Sequence, residues 1–155
     1  MRVRVIAVGT RMPAWVRSAC DDYLRRLRGA LPLTLTEIEP GSRSRGSASR
    51  AIATEGERLL NAVRPADHAI VLDERGRPFT TRQLADWLKE RMGAAEDLAF
   101  LIGGPDGLAQ AVLSRGQLTL SLSRLTLPHA LVRVLLLEQL YRAHCILVNH
   151  PYHRD

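Results

Sequence analysis

QLTLSLSRLTLPHALVRVLLLEQLYRAHCILVN, residues 117–149, joins a strand to a long helix through a short polar link. The segment 117–123 reads as a strand. Pro128 opens the helix and Asn149 ends it, so the predicted helix covers 128–149. Residues 131–137, LVRVLLL, are apolar at every position except Arg133. A surface helix carries a polar face, so this one is expected to be buried on two sides. One side faces a sheet. The other calls for a second partner, most simply the same helix of a second copy across a two-fold axis.

Upstream the same alternation repeats. VRVIAVG (3–9), LTLTEIE (33–39), HAIVLD (68–73) and DLAFLIGG (97–104) read as strands. Helices are expected over 13–29, about 49–63, from a cap at Thr80 or Thr81 to about Met92, and over 108–115. PGSRSRGSASR (40–50) is a loop, and ERGRP (74–78) is a turn. Strands alternating with helices give an α/β fold: a mainly parallel sheet with helices on both faces. No repeat and no shift in composition divides the chain, so 1–155 is taken as one domain.

At 155 residues, such a chain buries enough surface to fold without staples. Aromatic residues are only 5%, so Leu, Val, Ile and Ala must fill the core. No apolar run is long enough for a membrane helix, and the start, MRVRVIAVGTR, is too short and too alternating for a signal peptide. Cys20 and Cys145 have no metal-like spacing, and a reduced, cytoplasmic setting is the simplest reading. The net charge is +6 with a pI near 10.3, and Lys89 is the only lysine among 22 basic residues. A small arginine-rich domain suits a polyanionic partner, because the guanidinium fork donates two parallel hydrogen bonds to phosphate.

Ligands of open α/β sheets gather at the carboxyl ends of strands. Three such ends carry chemistry: VLDERG (71–76), LIGGPDG (101–107) and LSLSRLTLPH (120–129). Gly103, Gly104 and Gly107 permit close approach of backbone to a ligand, or make only a tight turn. Neither a dinucleotide fingerprint nor a P-loop is present. Ser121, Ser123 and Thr126 can bind a polar ligand, but capping the last helix is the stronger expectation for each. His68 and His144 read as structural or solvated, and His129 sits beside the pocket. The spacing of His150 and His153 does not make a zinc site, and no metal is expected. These residues alone do not name a reaction.

VIAVGTRMPAWV (5–16), LDERGRPFTT, LIGGPDGL and LSLSRLTLPHALVRVLLLEQLYRAHCILVNHPYHR together resemble the SPOUT-class methyltransferases of large-subunit ribosomal RNA, along essentially the whole chain. The resemblance implies a single SPOUT domain with a C-terminal deep trefoil knot, a homodimer, and S-adenosylmethionine as methyl donor. The implied target is N3 of a pseudouridine in 23S rRNA within the ribosome. The implied cofactor loops are Leu72 and Asp73, then Gly103, Gly104 and Gly107, then Leu122, Ser123, Arg124, Leu125, Thr126 and Leu127. Tyr152, His153 and Arg154 are implied on the substrate side.

His153 is the first choice for the base that takes the N3 proton, since an imidazole titrates near neutrality. Arg154 would hold a phosphate or a developing anion. The tail is expected to fold back over the cofactor, within one chain or across the dimer. His129, Arg142, Arg11, Arg43 and Arg45 are candidate RNA contacts. Two other readings are a ribosome-binding factor without activity and a binder of ATP or NAD.

Overall fold

The computed structural model describes residues 1–43 and 47–154. Its elements alternate: β1 (Val3–Val8), α1 (Ala14–Leu27), β2 (Leu33–Ile38), α2 (Ala48–Ala62), β3 (His68–Pro78), α3 (Thr81–Gly93), β4 (Leu98–Ile102), α4 (Gln110–Arg115), β5 (Leu118–Ser121) and α5 (His129–Leu147). Among the described residues five strands form one parallel sheet in the order β2-β1-β4-β3-β5. The expected α/β architecture is what the chain adopts.

Period-two alternation along the strands builds two cores. Val3, Val5, Ala7, Ile70, Leu98, Phe100 and Leu120 face α1, α3 and α5. Ile6, Val8, Ala69, Val71, Ala99 and Leu101 face α2 and α4, where Leu59 and Val112 cover them. The central strand β4 is buried at every position, which explains why LAFLI shows no polar residue. Thr80 is the residue that caps α3: its hydroxyl accepts from Gln83 N at 3.1 Å, and Gln83 Oε1 accepts from Thr80 N at 2.8 Å.

The segment 74–78 is not a simple turn. β3 runs on to Pro78, and both Leu72 and Arg77 pair with Leu120 of β5, so the residues between them bulge out of the ladder. The composition ERGRP signalled irregular backbone correctly. It could not show that pairing resumes beyond it.

α5 packs against both α1 and α3, and no residue from His129 to Leu147 is exposed. Arg133, the one polar residue of the run 131–137, is 1% exposed. Nη1 donates to Glu37 Oε2 at 2.6 Å, and Nη2 donates to the carbonyls of Val8 at 3.2 Å and Gly9 at 3.1 Å. One guanidinium therefore joins α5 to the carboxyl ends of β1 and β2. Gly9 makes room for it, with φ at +122° and a Cβ position that would lie 2.5 Å from Met12 Cε and 3.2 Å from Arg133 Nη2.

Replacing Arg133 by Met should remove these bonds and leave two buried carbonyls without a donor. The expected loss is about 3 kcal/mol, measured by urea unfolding. A loss below about 0.5 kcal/mol, the usual range for a surface change, would show that the clamp contributes nothing.

Candidate active site

The carboxyl ends of β3, β4 and β5 enclose a cleft of about 670 Å3. Leu72 to Arg75 form one wall, Ile102 to Leu108 a second, and Leu120, Leu122, Ser123, Leu125 to His129 and Val132 a third. The three strand ends singled out from sequence are thus brought together. Of the expected cofactor residues, Leu72, Asp73, Gly103, Gly104, Gly107, Leu122, Ser123, Leu125, Thr126 and Leu127 line the cleft, while Arg124 is exposed and lies off it.

GGPDG is both a turn and a wall. Gly107 N–H donates to Gly104 O at 3.2 Å, with Gly107 at φ +90°. The hydroxyls do not cap α5, whose N-cap is Pro128 with no side-chain bond. Ser121 Oγ instead donates to Ser123 O at 2.9 Å, and Ser123 Oγ accepts from Leu125 N at 2.9 Å. Thr126 Oγ1 donates to Glu74 Oε2 at 3.0 Å, which ties the third wall to the first. A proline ahead of the helix supplies the entry geometry, so the hydroxyls are left to shape the link.

Asp73 accepts from Arg75 at 3.0 and 3.1 Å, and that guanidinium holds its carboxyl below the usual range. The cleft therefore carries a fixed anion at neutral pH. His129 is pushed below its ordinary value by burial and then by the nearby Arg133 charge, so it faces the cleft as a neutral imidazole. His144 is not simply solvated: Nδ1 is buried without a partner among the described residues, and burial lowers its pKa.

The tail is folded, and the backbone shows why. Asn149 adopts φ +57°, His150 N donates to Cys145 O at 2.8 Å, and Asn149 N donates to Ile146 O at 3.2 Å. This pair of bonds closes the helix and reverses the chain. Tyr152 then lies against Tyr141, ring centroids 4.7 Å apart, and its hydroxyl donates to Glu138 Oε1 at 3.1 Å. Burial and bonds to Tyr23 and Glu138 raise the Tyr152 phenol, so it stays a donor. Arg142 donates to Glu138 Oε1 at 2.6 Å, stacks 4.7 Å over the Tyr152 ring, and approaches His153 Nδ1 at 3.5 Å.

The tail does not fold over its own chain's cleft. It docks on α5 at Glu138–Arg142, about 14–20 Å along the helix from His129 at 1.5 Å per residue. Tyr152 and His153 are half-buried there and Arg154 is exposed. Arg142 is paired with Glu138 rather than presented to solvent. Arg11 is exposed on the β1–α1 link. Arg43 is drawn into contacts with Glu55 and Asp106. Arg45 lies outside the described residues.

Sequence reading missed Glu138, Glu74 and Arg133. The i,i+4 spacing of Glu138 and Arg142 was a usable signal, as was a lone cation in an apolar run. Nothing local marked Glu74, because its partner Thr126 lies 52 residues away.

Comparison with known proteins bears on the whole chain. Residues 1–153 match the family model described as predicted SPOUT methyltransferase. The ribosomal RNA large subunit methyltransferase H of Thiobacillus denitrificans is 52% identical over 100% of both chains. That of Chromobacterium violaceum is 47% identical over 100% of both. Among solved structures, a chain described as a probable methyltransferase from Bordetella pertussis Tohama I is similar with a TM-score of 0.59 at 19% identity, covering 92% of this chain and 96% of that one. A Legionella pneumophila methyltransferase structure with the bound cofactor SAM is similar with a TM-score of 0.51 at 10% identity, covering 92% of this chain and 66% of that one.

Two outcomes test the site's electrostatics. Replacing Glu138 by Gln should speed hydrogen exchange across 150–154 while the middle of α5 stays protected, at a cost of about 1 kcal/mol. Unchanged exchange in the tail would mean that Glu138 does not hold it. His129 and His144 have folded pKa values below 6.5, so the unfolded chain takes up protons first as pH falls. Their stability contribution is present above about 6.5 and lost as pH drops through the folded values. Urea melts across that window should show the decline, and His129→Gln should flatten it. A decline untouched by that change would place its origin elsewhere.

Proposed function

The chain belongs to the ribosomal RNA large subunit methyltransferase H family of SPOUT methyltransferases, and on that premise we propose that the glycine-lined cleft takes the donor and that the target is N3 of a pseudouridine in 23S rRNA within the ribosome. The chain is an S-adenosylmethionine-dependent methyltransferase of large-subunit rRNA. The observation that carries the siting is the convergence of three strand ends on one cleft.

The residues present fit the donor. A cleft of about 670 Å3 falls in the usual range for small-molecule sites. Leu72, Ile102, Leu120, Leu122 and Leu127 offer apolar walls to a flat base. Ser123, Thr126 and anionic Asp73 offer hydroxyls and a carboxylate to a sugar or an amino-acid arm. When bound, S-adenosylmethionine supplies a methyl group on a sulfonium, an electrophile that needs its acceptor in line. This chain's own share is to hold both reactants and to move one proton. His153 takes the N3 proton, Arg154 holds a phosphate or the developing anion, and Tyr152 fixes the tail that carries them.

We assign the completing tail to a second copy. Each tail docks well away from its own cleft, on the middle and second half of α5 at Glu138–Arg142. Antiparallel pairing of two α5 helices would bring the tail of one copy to the cleft of the other. Two exposed apolar side chains support that pairing: Leu125, 76% exposed before α5, and Val148, 56% exposed after it. Basic residues of both copies would then face the RNA. The deep trefoil knot implied by family membership involves the same C-terminal third, and the reaction belongs to the cytoplasm in this reading.

The test is transfer of labelled methyl from S-adenosylmethionine to ribosomes lacking the modification. His153→Ala should lower kcat on the order of 100-fold or more with donor binding retained by calorimetry. Gly103→Val should lose donor binding, since a Cβ there lies 2.8 Å from Leu108 and 3.0 Å from Gly107 O. Mixing the two inactive proteins should restore part of the activity, because a mixed dimer holds one intact cleft with one intact tail. No recovery would overturn the shared site. Retained donor binding in Gly103→Val would overturn the siting of the cleft.

A further inference from the structure

Glu55 of α2 is a carboxylate only 2% exposed. Oε1 accepts from Gly41 N at 3.1 Å and from Arg43 Nη1 at 2.8 Å. Arg43 Nη1 also donates to Gly41 O at 3.2 Å. On its other edge, Arg43 Nε donates to Asp106 Oδ2 at 2.6 Å. Asp106 sits in the Gly104–Gly107 turn that forms one wall of the cleft. Glu55 also lies directly beneath that turn, for a Cβ on Gly104 would be 3.1 Å from Glu55 Oε2 and 3.2 Å from Val8 Cγ1.

These contacts form a continuous link. A buried acid on a helix grips a guanidinium, and the guanidinium grips the tip of the turn. The turn closes on itself through an antiparallel bridge between Gly104 and Gly107, with a 3.2 Å backbone bond and left-handed Gly107 behind it. A tip of Gly, Pro, Asp and Gly gains little from packing, since Pro105, Asp106 and Gly107 are all exposed. Holding such a tip in place before a ligand arrives lowers the ordering cost of binding.

We propose that Arg43 is a positioning residue for the methyl-donor cleft, holding the Gly104–Gly107 turn on buried Glu55 through Asp106, rather than a contact to RNA. The assignment rests on reading the cleft as the donor site. Arg43 acts through Asp106 and touches neither reactant. Its charge is already matched by two carboxylates, so a phosphate would have to displace one of them.

The experiment uses the full-length protein as wild type, Arg43→Ala, Asp106→Ala, the double variant and Gly103→Val. Calorimetry with S-adenosylmethionine gives donor affinity, thermal melting confirms folding, and steady-state methyl transfer to ribosomes gives KM for each reactant at two salt concentrations. Each tether variant should weaken donor binding about tenfold, and the double variant should be no weaker than the worse single one, because both cut the same link. KM for the donor should rise more than kcat falls, with KM for ribosomes and its salt dependence unchanged.

Asp106→Ala keeps the test open if Arg43→Ala unfolds, because Asp106 lies at an exposed tip. Normal donor binding in both tether variants, beside its loss in Gly103→Val, overturns the tether alone. Normal binding in Gly103→Val as well places the donor elsewhere, and the tether falls with the cleft. A rise in ribosome KM with a salt slope shallower by about one unit would make Arg43 an RNA contact and overturn the proposal.

Discussion

A guanidinium buried under the first turns of α5 fixes the geometry on which the site depends. Arg133 has hydrogen-bonded contacts with the last carbonyls of β1 and with Glu37 of β2. It therefore sets where α5 begins relative to the sheet. The cleft is assembled from what precedes and follows that point: the link from β5, Pro128, His129 and Val132. The same charge helps keep His129 neutral. An apolar residue in this place would pack well enough, but it would not hold strand ends and helix in one register.

Two opposite uses of charge divide the molecule. Arg11, Arg50 and Arg154 are exposed, and they contribute to the positive field that a polyanion meets. Arg43 and Arg133 are turned inward and connect elements distant in sequence, while Arg142 pairs with Glu138 inside α5 and stacks on the tail's Tyr152. Composition alone could not separate these groups. Arginine suits both roles because it remains charged and directs several donors in a fixed fork.

The architecture was legible because strand alternation and helix punctuation are local signals. VRVIAV, LAFLI and the Pro-to-Asn span of α5 each announce themselves within a few residues. The cleft was legible too, since carboxyl ends of parallel strands converge by topology once the strands are known. What stayed hidden depended on contacts between distant residues. The pairing of Arg77 with Leu120, the bond from Thr126 to Glu74 and the capture of Arg43 by Glu55 have no short-range signature. The tail was half-legible: its residues raised suspicion, but its docking on α5 follows from the left-handed Asn149 and from Tyr152 meeting Glu138.

The strand order also governs how the chain comes to be folded. β1 pairs with β2 at once in sequence terms, yet its other edge waits for β4, whose Leu98 pairs with Val3. β3 likewise needs β4 before it can join the sheet formed by β1 and β2. During synthesis, the first two-thirds of the polypeptide therefore presents open edges with no central strand between them. Productive collapse has to wait for that strand to emerge, and until then one edge of β1 and both edges of β3 stay unpaired.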